Sequence, residues 1–414
     1  LRPNRLSTNT VTLLFSNVGS AGLSFLLSVL IGRALGEDGL GVYAATLAWI
    51  FPLVLITEFG MNTLIVREAT QNPDVEDKLL WTAIQVFLLL GLPLILVLAI
   101  ATPLLSSDPQ VVTGLRISAP FIVISPCFGA FTAVFRARQR MWPIALLNIG
   151  MLVVQVFVTT FVFLAGGDVL TALAVNTATS VGQLGAAWWI WRNLTHKRIE
   201  KVLSWSVRLS YAGETLIPLL RKAWPFALAA ILAALQTRIG VILLEQLAGK
   251  SEVGYYAAAT RFVEAGRMIP NALFGALFPT LAALAINPQT MQRTFRKVML
   301  GLAAFGLTLA IVFTWLSSPM MTVTYGERFL PAVPILQITM WALLPSLLRA
   351  GQTLYWYSLG QEKHVNKVTA FTLVIQVMFS LWLIPQLGAT GVALINLLIE
   401  SAALALLWWN PRRV

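Results

Sequence analysis

Apolar residues run along this chain in long blocks, separated by short polar stretches rich in Gly, Pro and basic residues. A helix that crosses a bilayer needs about 20 mostly apolar residues. The chain supplies twelve such blocks, at about 10–33, 40–66, 79–105, 113–136, 141–166, 169–192, 222–246, 253–285, 297–321, 331–359, 365–386 and 389–409. Twelve in succession leave almost no polar sequence to clothe buried soluble helices, so the pattern predicts an all-α integral membrane protein. The longest connection, THKRIEKVLSWSVRLS and its flanks, divides the blocks six and six. The expected organisation is a six-helix bundle over 1–192, a cytoplasmic basic linker over 193–221 and a second six-helix bundle over 222–414. The linker reads either as solvated chain or as an amphipathic helix on the inner leaflet.

The polar punctuation repeats. LGEDGLGVYAA at 35–45 returns as LAGKSEVGYYAA at 247–258, and an offset of 213 sets Gly36 on Gly249, Gly41 on Gly254 and Tyr43 on Tyr256. In each copy this is the turn between the first two helices of a half, where glycine permits a tight backbone. The two tyrosines are expected at the membrane–water boundary. A second echo pairs VQVFVTTFVFLAGGDVLTAL with IQVMFSLWLIPQLGATGVAL at an offset of 221, matching Gln155 to Gln376 and Gly167 to Gly388. Six helices, an even number, separate the copies, so the halves run in the same direction as pseudo-symmetric parallel repeats. In transporters that arrangement puts the substrate between the halves, near the bilayer midplane.

Composition agrees with a membrane protein. The chain is 57% apolar and 11% charged, against about 25% charged in soluble domains. A net charge of +12 would suggest nucleic acid if it were spread at random. With the N-terminus inside, however, 21 of the 29 Lys and Arg fall on inner loops and ends, and four (Arg33, Arg116, Lys250 and Arg328) fall outside. Basic residues in short loops stay cytoplasmic, which predicts a cell (inner) membrane protein with both termini cytoplasmic and no nucleic-acid partner. The chain opens at Leu1 rather than Met, so a short native N-terminus is expected before it, leading into an uncleaved first helix.

Enzyme chemistry finds no support. A lone cysteine, Cys127, excludes a disulfide framework and multi-cysteine metal sites. His196 and His364 sit in different inner loops, and no nucleophile has a supporting base. Gly249-Lys250-Ser251 lacks the earlier glycine of a phosphate-binding loop, its place being taken by Leu244. No cofactor, metal or ATP hydrolysis is expected.

Four basic residues remain, all arginine and all within spans: Arg238, Arg261, Arg267 and Arg349. A charge at the bilayer centre costs about 2.5–3.5 kcal/mol on insertion scales, so each should face a partner or a wet cavity. At 1.5 Å per residue, Arg238 and Arg261 lie at matching depth, roughly 12–14 Å below the outer surface, with Arg267 deeper. Glu264 stands three residues from both Arg261 and Arg267, within helical contact range. This cluster reads either as a packing lock or as part of an anion site; with Arg238 it keeps two net positive charges. Guanidinium is well suited to multidentate binding of a diphosphate. The repeat places Phe25 and Ala48 opposite Arg238 and Arg261, so any anion site belongs to the second half.

Arg349 precedes GQTLYWYSLG, in which Gln352, Tyr355, Trp356 and Tyr357 read as sugar contacts or as an interfacial aromatic belt. Glu58 is a candidate for proton or sodium coupling, a partner for a second-half arginine, or an inner-end charge reaching the interface. Glu264 is the other coupling candidate, and Glu400 is expected to serve packing. Asn17, Asn62, Asn148 and Gln155 read as helix–helix contacts or cavity lining.

RALGEDGLGVYA followed by ITEFGMNTLIVREAT resembles the opening of Wzx-type polysaccharide flippases of the multidrug/oligosaccharidyl-lipid/polysaccharide (MOP) exporter superfamily. EVGYYAAATRFVEAGRMIPNALFGALFPTLA, YGERFLPAVPILQI and LIPQLGATGVALINLLIES extend the resemblance, in order, over nearly the whole chain. It implies a V-shaped pair of bundles around a cavity, flipping a polyprenyl-diphosphate-linked oligosaccharide outward by alternating access for cell-surface polysaccharide synthesis. The implied partners are that lipid-linked oligosaccharide, membrane lipids, a polysaccharide polymerase and glycosyltransferases. Substrate binding would fall to Arg238, Arg261, Arg267 and Arg349. Lipid II flippases of the superfamily usually have fourteen helices and more cationic first-half cavities, so the chain fits them less well. The twelve-helix drug exporters supply the alternative, a cation-coupled exporter of small amphipathic molecules relying on Glu58 or Glu264. A third reading is a non-transporting scaffold or membrane enzyme of the same pathway.

Overall fold

The computed structural model describes residues 3–195, 212–284 and 288–408. Most of the expected linker, including His196, lies outside the described residues, as do both chain ends. The longer elements are α1 (Pro3–Glu58), α2 (Met61–Gln71), α3 (Glu76–Leu105), α4 (Pro109–Ser118), α5 (Phe121–Ala137), α6 (Trp142–Leu164), α7 (Val169–Thr195), α8 (Ala212–Ala248), α9 (Lys250–Leu284), α10 (Pro288–Thr324), α11 (Ala332–Ser358) and α12 (Glu362–Trp408). No strand occurs among the described residues.

Among the described residues, eight stretches are long and apolar enough to cross a membrane. Two of them, in α1 and α12, run through a glycine that leaves helical geometry, Gly36 (φ 72°, ψ −167°) and Gly388 (φ 54°, ψ −134°). Each is therefore two helices end to end. Adding α7 and α9, which are as long but richer in polar groups, gives the expected twelve crossings of a multi-pass membrane protein. Along α3, Leu89, Leu92, Leu96, Ile100 and Leu104 are all exposed. Their three- and four-residue spacing makes one outward apolar stripe, the reverse of a soluble helix, and such a surface belongs against lipid.

Two expected blocks are interrupted. The second breaks after Glu58, where Phe59 and Gly60 take φ of 47° and 70° before α2 begins. Glycine pays nothing there, but a bulky residue at positive φ stores strain of order 1–3 kcal/mol. The fourth block breaks at Ala119-Pro120, between α4 and α5, where proline lacks the amide that would continue the ladder.

The expected bundles over 1–192 and 222–414 divide the chain by sequence repeat; compact packing is drawn differently. One unit comprises residues up to Ser24 with Thr46–Ala234, and the other comprises Phe25–Ala45 with residues from Leu235 onward. In unit 1, Met61, Leu64 and Ile65 of α2 pack with Leu80 and Phe87 of α3 and Phe131 and Phe135 of α5. Glu76, only 4% exposed, opens α3 and accepts from Arg138 Nε and Nη2 at 2.7 and 2.6 Å. Arg138→Ala strands this carboxylate and is expected to cost about 3–5 kcal/mol. The thermal midpoint in detergent should fall, and Glu76→Leu combined with Arg138→Met should recover most of the loss. A wild-type midpoint in the single variant would show the pair to be idle.

In unit 2, the segment from Phe25 packs closely on later helices. Phe25 meets Phe262 edge-on at 5.1 Å, and Ser28 shares a hydrogen bond of 3.0 Å with the Tyr325 hydroxyl. Arg33 donates to the carbonyls of Thr324, at 2.6 Å, and Val323 in the last turn of α10, where the negative end of the helix favours a cation.

The sequence repeat has a counterpart in this packing. Gly36 and Gly249 both take positive φ, 72° and 87°. A Cβ on Gly41 would lie 1.8 Å from the Lys250 carbonyl oxygen, and one on Gly254 would lie 2.0 Å from that of Glu37. Glu37 and Lys250 correspond at the offset of 213, as do Asp38 and Ser251, which hydrogen-bond to each other. Corresponding residues that touch reciprocally mark a local two-fold axis, and at its centre only glycine lets the backbones approach.

Candidate functional site

Unit 2 gathers most of the intramembrane charge. Arg261 Nη1 donates to Glu264 at 2.7 Å, one helical turn along α9. Arg267 does not complete the expected Arg–Glu–Arg cluster; its Nη2 donates to Ser346 Oγ of α11 at 2.9 Å. Arg238 of α8 lies within the electrostatic reach of Glu264, Arg261 and Tyr256, so the two arginines of equal expected depth feel each other's charge. Tyr256 accepts a hydrogen bond of 2.6 Å from Asn396 Nδ2 of α12 and feels both Arg267 and Arg238. Arg261 also faces Tyr43 and Tyr325. Tyr43 and Tyr256, expected at the membrane–water boundary, are 5% and 8% exposed.

Among the described residues the cluster brings the guanidiniums of Arg238, Arg261 and Arg267 near the Glu264 carboxylate. Arg261 and Glu264 remain 28% and 49% exposed, so the pair is reachable by a ligand. A more highly charged anion can compete with Glu264 for this guanidinium. Phe262, beside Arg261, stacks edge-on with Phe313 at 6.0 Å and Tyr325 at 6.3 Å, giving the charged group an aromatic flank.

Arg349 stands one turn beyond Ser346 and is committed to Glu400 through two bonds, Nη2 to Oε1 at 3.1 Å and Nε to Oε2. The aromatic run after it is used internally. Gln352 Nε2 and Trp356 Nε1 both donate to the Leu407 carbonyl, at 3.4 and 3.0 Å, and Tyr355 stacks on Phe295 at 4.8 Å.

Glu58 belongs to unit 1. It lines a cavity of about 580 Å³ with Asn62, Ser125, Phe128 and Arg136, among others. Asn62 and Arg136 both favour its charged form, so its cation comes from the first half. Gln155 donates to Asn176 Oδ1 at 2.9 Å, and Gln183 donates to Asn148 Oδ1 at 3.3 Å. These amides join α6 to α7. Sequence spacing alone pointed to Arg261–Glu264; it carried no signal for Ser346, Tyr325 or Asn396, which lie on distant helices.

Residues 6–285 match the family described as polysaccharide biosynthesis protein. The chain belongs to that family. The matched span includes Arg238, Arg261, Glu264 and Arg267 of the polysaccharide biosynthesis family member, and ends before Arg349. The succinoglycan biosynthesis transport protein ExoT of Rhizobium meliloti (strain 1021) is 21% identical over 368 residues, covering 83% of this chain and 69% of the relative. Among solved structures, the lipid II flippase MurJ in an inward closed conformation superposes with a TM-score of 0.78 at 15% identity, covering 97% of this chain and 87% of that one. An inward-facing multidrug resistance MATE family transporter of the MOP superfamily gives a TM-score of 0.78 at 15% identity, covering 98% and 96%. The polysaccharide biosynthesis family member thus has the twelve-helix, two-lobe fold of MOP-superfamily transporters. That fold serves both a lipid flippase and a drug exporter, so the choice of substrate must come from the site.

Proposed function

We propose that this protein flips a polyprenyl-diphosphate-linked oligosaccharide from the inner to the outer leaflet of the cell membrane, by alternating access, for cell-surface polysaccharide synthesis. Both termini are cytoplasmic in this reading. The carrying observation is the excess of guanidinium at Arg238, Arg261 and Arg267 over the Glu264 carboxylate. Three guanidiniums within electrostatic range of Tyr256 and Glu264 at membrane depth repel the lipophilic cations that a drug exporter would carry, and favour a diphosphate. The family and the polysaccharide transport relative point to the same class of cargo.

The diphosphate takes Arg261 from Glu264 and recruits Arg238, while Ser346 keeps Arg267 oriented. Arg349, one turn further along α11, can join the site only by exchanging Glu400 for the diphosphate. The polyprenyl tail stays in the bilayer. A ligand drives the switch between the two access states only by the difference in its affinity for them, so the arginines must engage the diphosphate better in one state. Glu264, released from Arg261, is the acidic group of this site available for ion coupling. Glycosyltransferases would supply the cargo and a polymerase would consume it; the protein itself performs no covalent step.

Binding to the purified protein discriminates the two substrate classes. Polyprenyl diphosphate should bind tightest, polyprenyl monophosphate less tightly, and polyprenol and tetraphenylphosphonium weakest. Preference for the phosphonium cation would favour the small-molecule exporter and overturn this reading.

A further inference from the structure

The cavity of unit 1 has no role in diphosphate recognition as described, yet it has the properties of a built site. Its volume of about 580 Å³ falls within the roughly 300–1,000 Å³ of small-molecule sites. It lies where α1 ends, α2 begins and α5 passes, and the positive-φ residue Phe59 stands between two of its lining residues, Glu58 and Asn62. Strained backbone of this kind collects at ligand sites. The Asn62 amide rests on Gly129, where an added Cβ would come within 2.1 Å of Nδ2. Its Oδ1 is buried without a hydrogen-bond partner among the described residues. Buried polar atoms are almost always satisfied, so this acceptor has the character of one that awaits a donor. Glu58 and Arg136 interact electrostatically but form no ion pair with each other.

The lining decides the class of ligand. Glu58, Asn62, Ser125 and Arg136 offer too many polar groups for a lipid tail. Arg67, also in the lining, is paired with Glu68 at 3.8 Å; of the other two charges, Arg136 opposes a free cation and Glu58 opposes a free phosphate. A neutral polyhydroxylated ligand uses both: the carboxylate and the Asn62 oxygen accept from hydroxyls, while the guanidinium and Ser125 donate to ring and hydroxyl oxygens. Phe128, also in the lining, supplies a flat apolar face for the C–H side of a sugar ring.

We infer that this cavity is a carbohydrate subsite that recognises a sugar residue of the cargo. The inference rests on the reading of that cargo as a lipid-linked oligosaccharide.

The test compares two probes, the lipid-linked oligosaccharide extracted from the native host and synthetic polyprenyl diphosphate without sugar. Wild-type protein should bind the first at least tenfold more tightly. Glu58→Gln, which keeps shape and removes charge, and Asn62→Ala should each reduce that preference by roughly tenfold, leaving the affinity for the bare lipid unchanged. Thermal midpoints equal to wild type would show that the variants fold. If both affinities fell together, the cavity would hold the diphosphate, and the carbohydrate assignment would be overturned. It would also be overturned if neither variant altered the preference, or if wild-type protein showed none. Each of these results leaves the flippase reading standing. That reading fails separately if wild-type protein does not bind the bare diphosphate lipid, and the subsite then falls with it.

Discussion

Arg238→Ala and Arg261→Ala should each weaken binding of polyprenyl diphosphate by roughly 10–150-fold, the loss of one charge-assisted hydrogen bond at about 1.5–3 kcal/mol. The double variant should bind the diphosphate lipid no better than polyprenol. Arg238 lies within reach of Arg261 and Glu264, so the two arginines act on one ligand and their effects should not simply add. Lysine at either position should restore only part of the affinity, because a point charge cannot reproduce the bidentate fork. Glu264→Gln should do the opposite: it frees Arg261 from its 2.7 Å partner and tightens binding. Arg267→Ala should have a smaller effect than Arg261→Ala, since Arg267 is partly engaged by Ser346. Membrane insertion should be unharmed, because removing an intramembrane charge lowers the insertion cost. Equilibrium binding in detergent checks all of these; wild-type affinity in both alanine variants would remove the site.

The second large effect is expected at the local two-fold axis. Gly41→Ala places a carbon 1.8 Å from the Lys250 carbonyl oxygen, and Gly254→Ala places one 2.0 Å from that of Glu37. Both obstacles are backbone, so no side-chain rotation relieves them, and the cost should reach or exceed the roughly 1–3 kcal/mol of ordinary overpacking. The contacts are reciprocal, so the two variants should share one phenotype: lower stability and loss of transport. Gly36→Ala meets no backbone atom and should cost only the strain of its φ 72°, ψ −167° conformation, about 1–3 kcal/mol. Asp38→Cys with Ser251→Cys, in a Cys127→Ser background, supplies the readout. The hydrogen bond between Asp38 and Ser251 puts these positions within reach of a disulfide, which should form readily with native glycines and poorly with Gly41→Ala. Equal cross-linking in both would show that the helix ends tolerate the added methyl group.

Much of this architecture is written in local sequence. Block length gives the twelve crossings, because lipid imposes one span length on every helix. The glycine repeat gives the turn at Gly36 and Gly249, because only a positive φ makes that turn. Arg261–Glu264 follows from three-residue spacing on one helix. The remainder depends on contacts that no local window contains. Arg267 finds Ser346 79 residues away, and Arg349 finds Glu400 at 51. Tyr43 and Tyr256 have the composition of boundary residues but are buried by their neighbours. The break at Phe59 contradicts that residue's own preference, so packing must impose it. Arg136 counts as a loop charge in sequence, and only the approach of α5 to the end of α1 sets it near Glu58. Phe25–Ala45 belongs to a unit built mainly from the second half of the chain, a grouping invisible to any division at the linker.

The most direct test is transbilayer movement of the lipid-linked oligosaccharide in liposomes reconstituted with the purified protein, read by the accessibility of its glycan to an external lectin. Wild-type protein should equilibrate the glycan between leaflets, and Arg238→Ala/Arg261→Ala should leave it where it was loaded. No movement with wild-type protein, or equal movement with the double variant, would contradict a flippase that grips its cargo by the diphosphate.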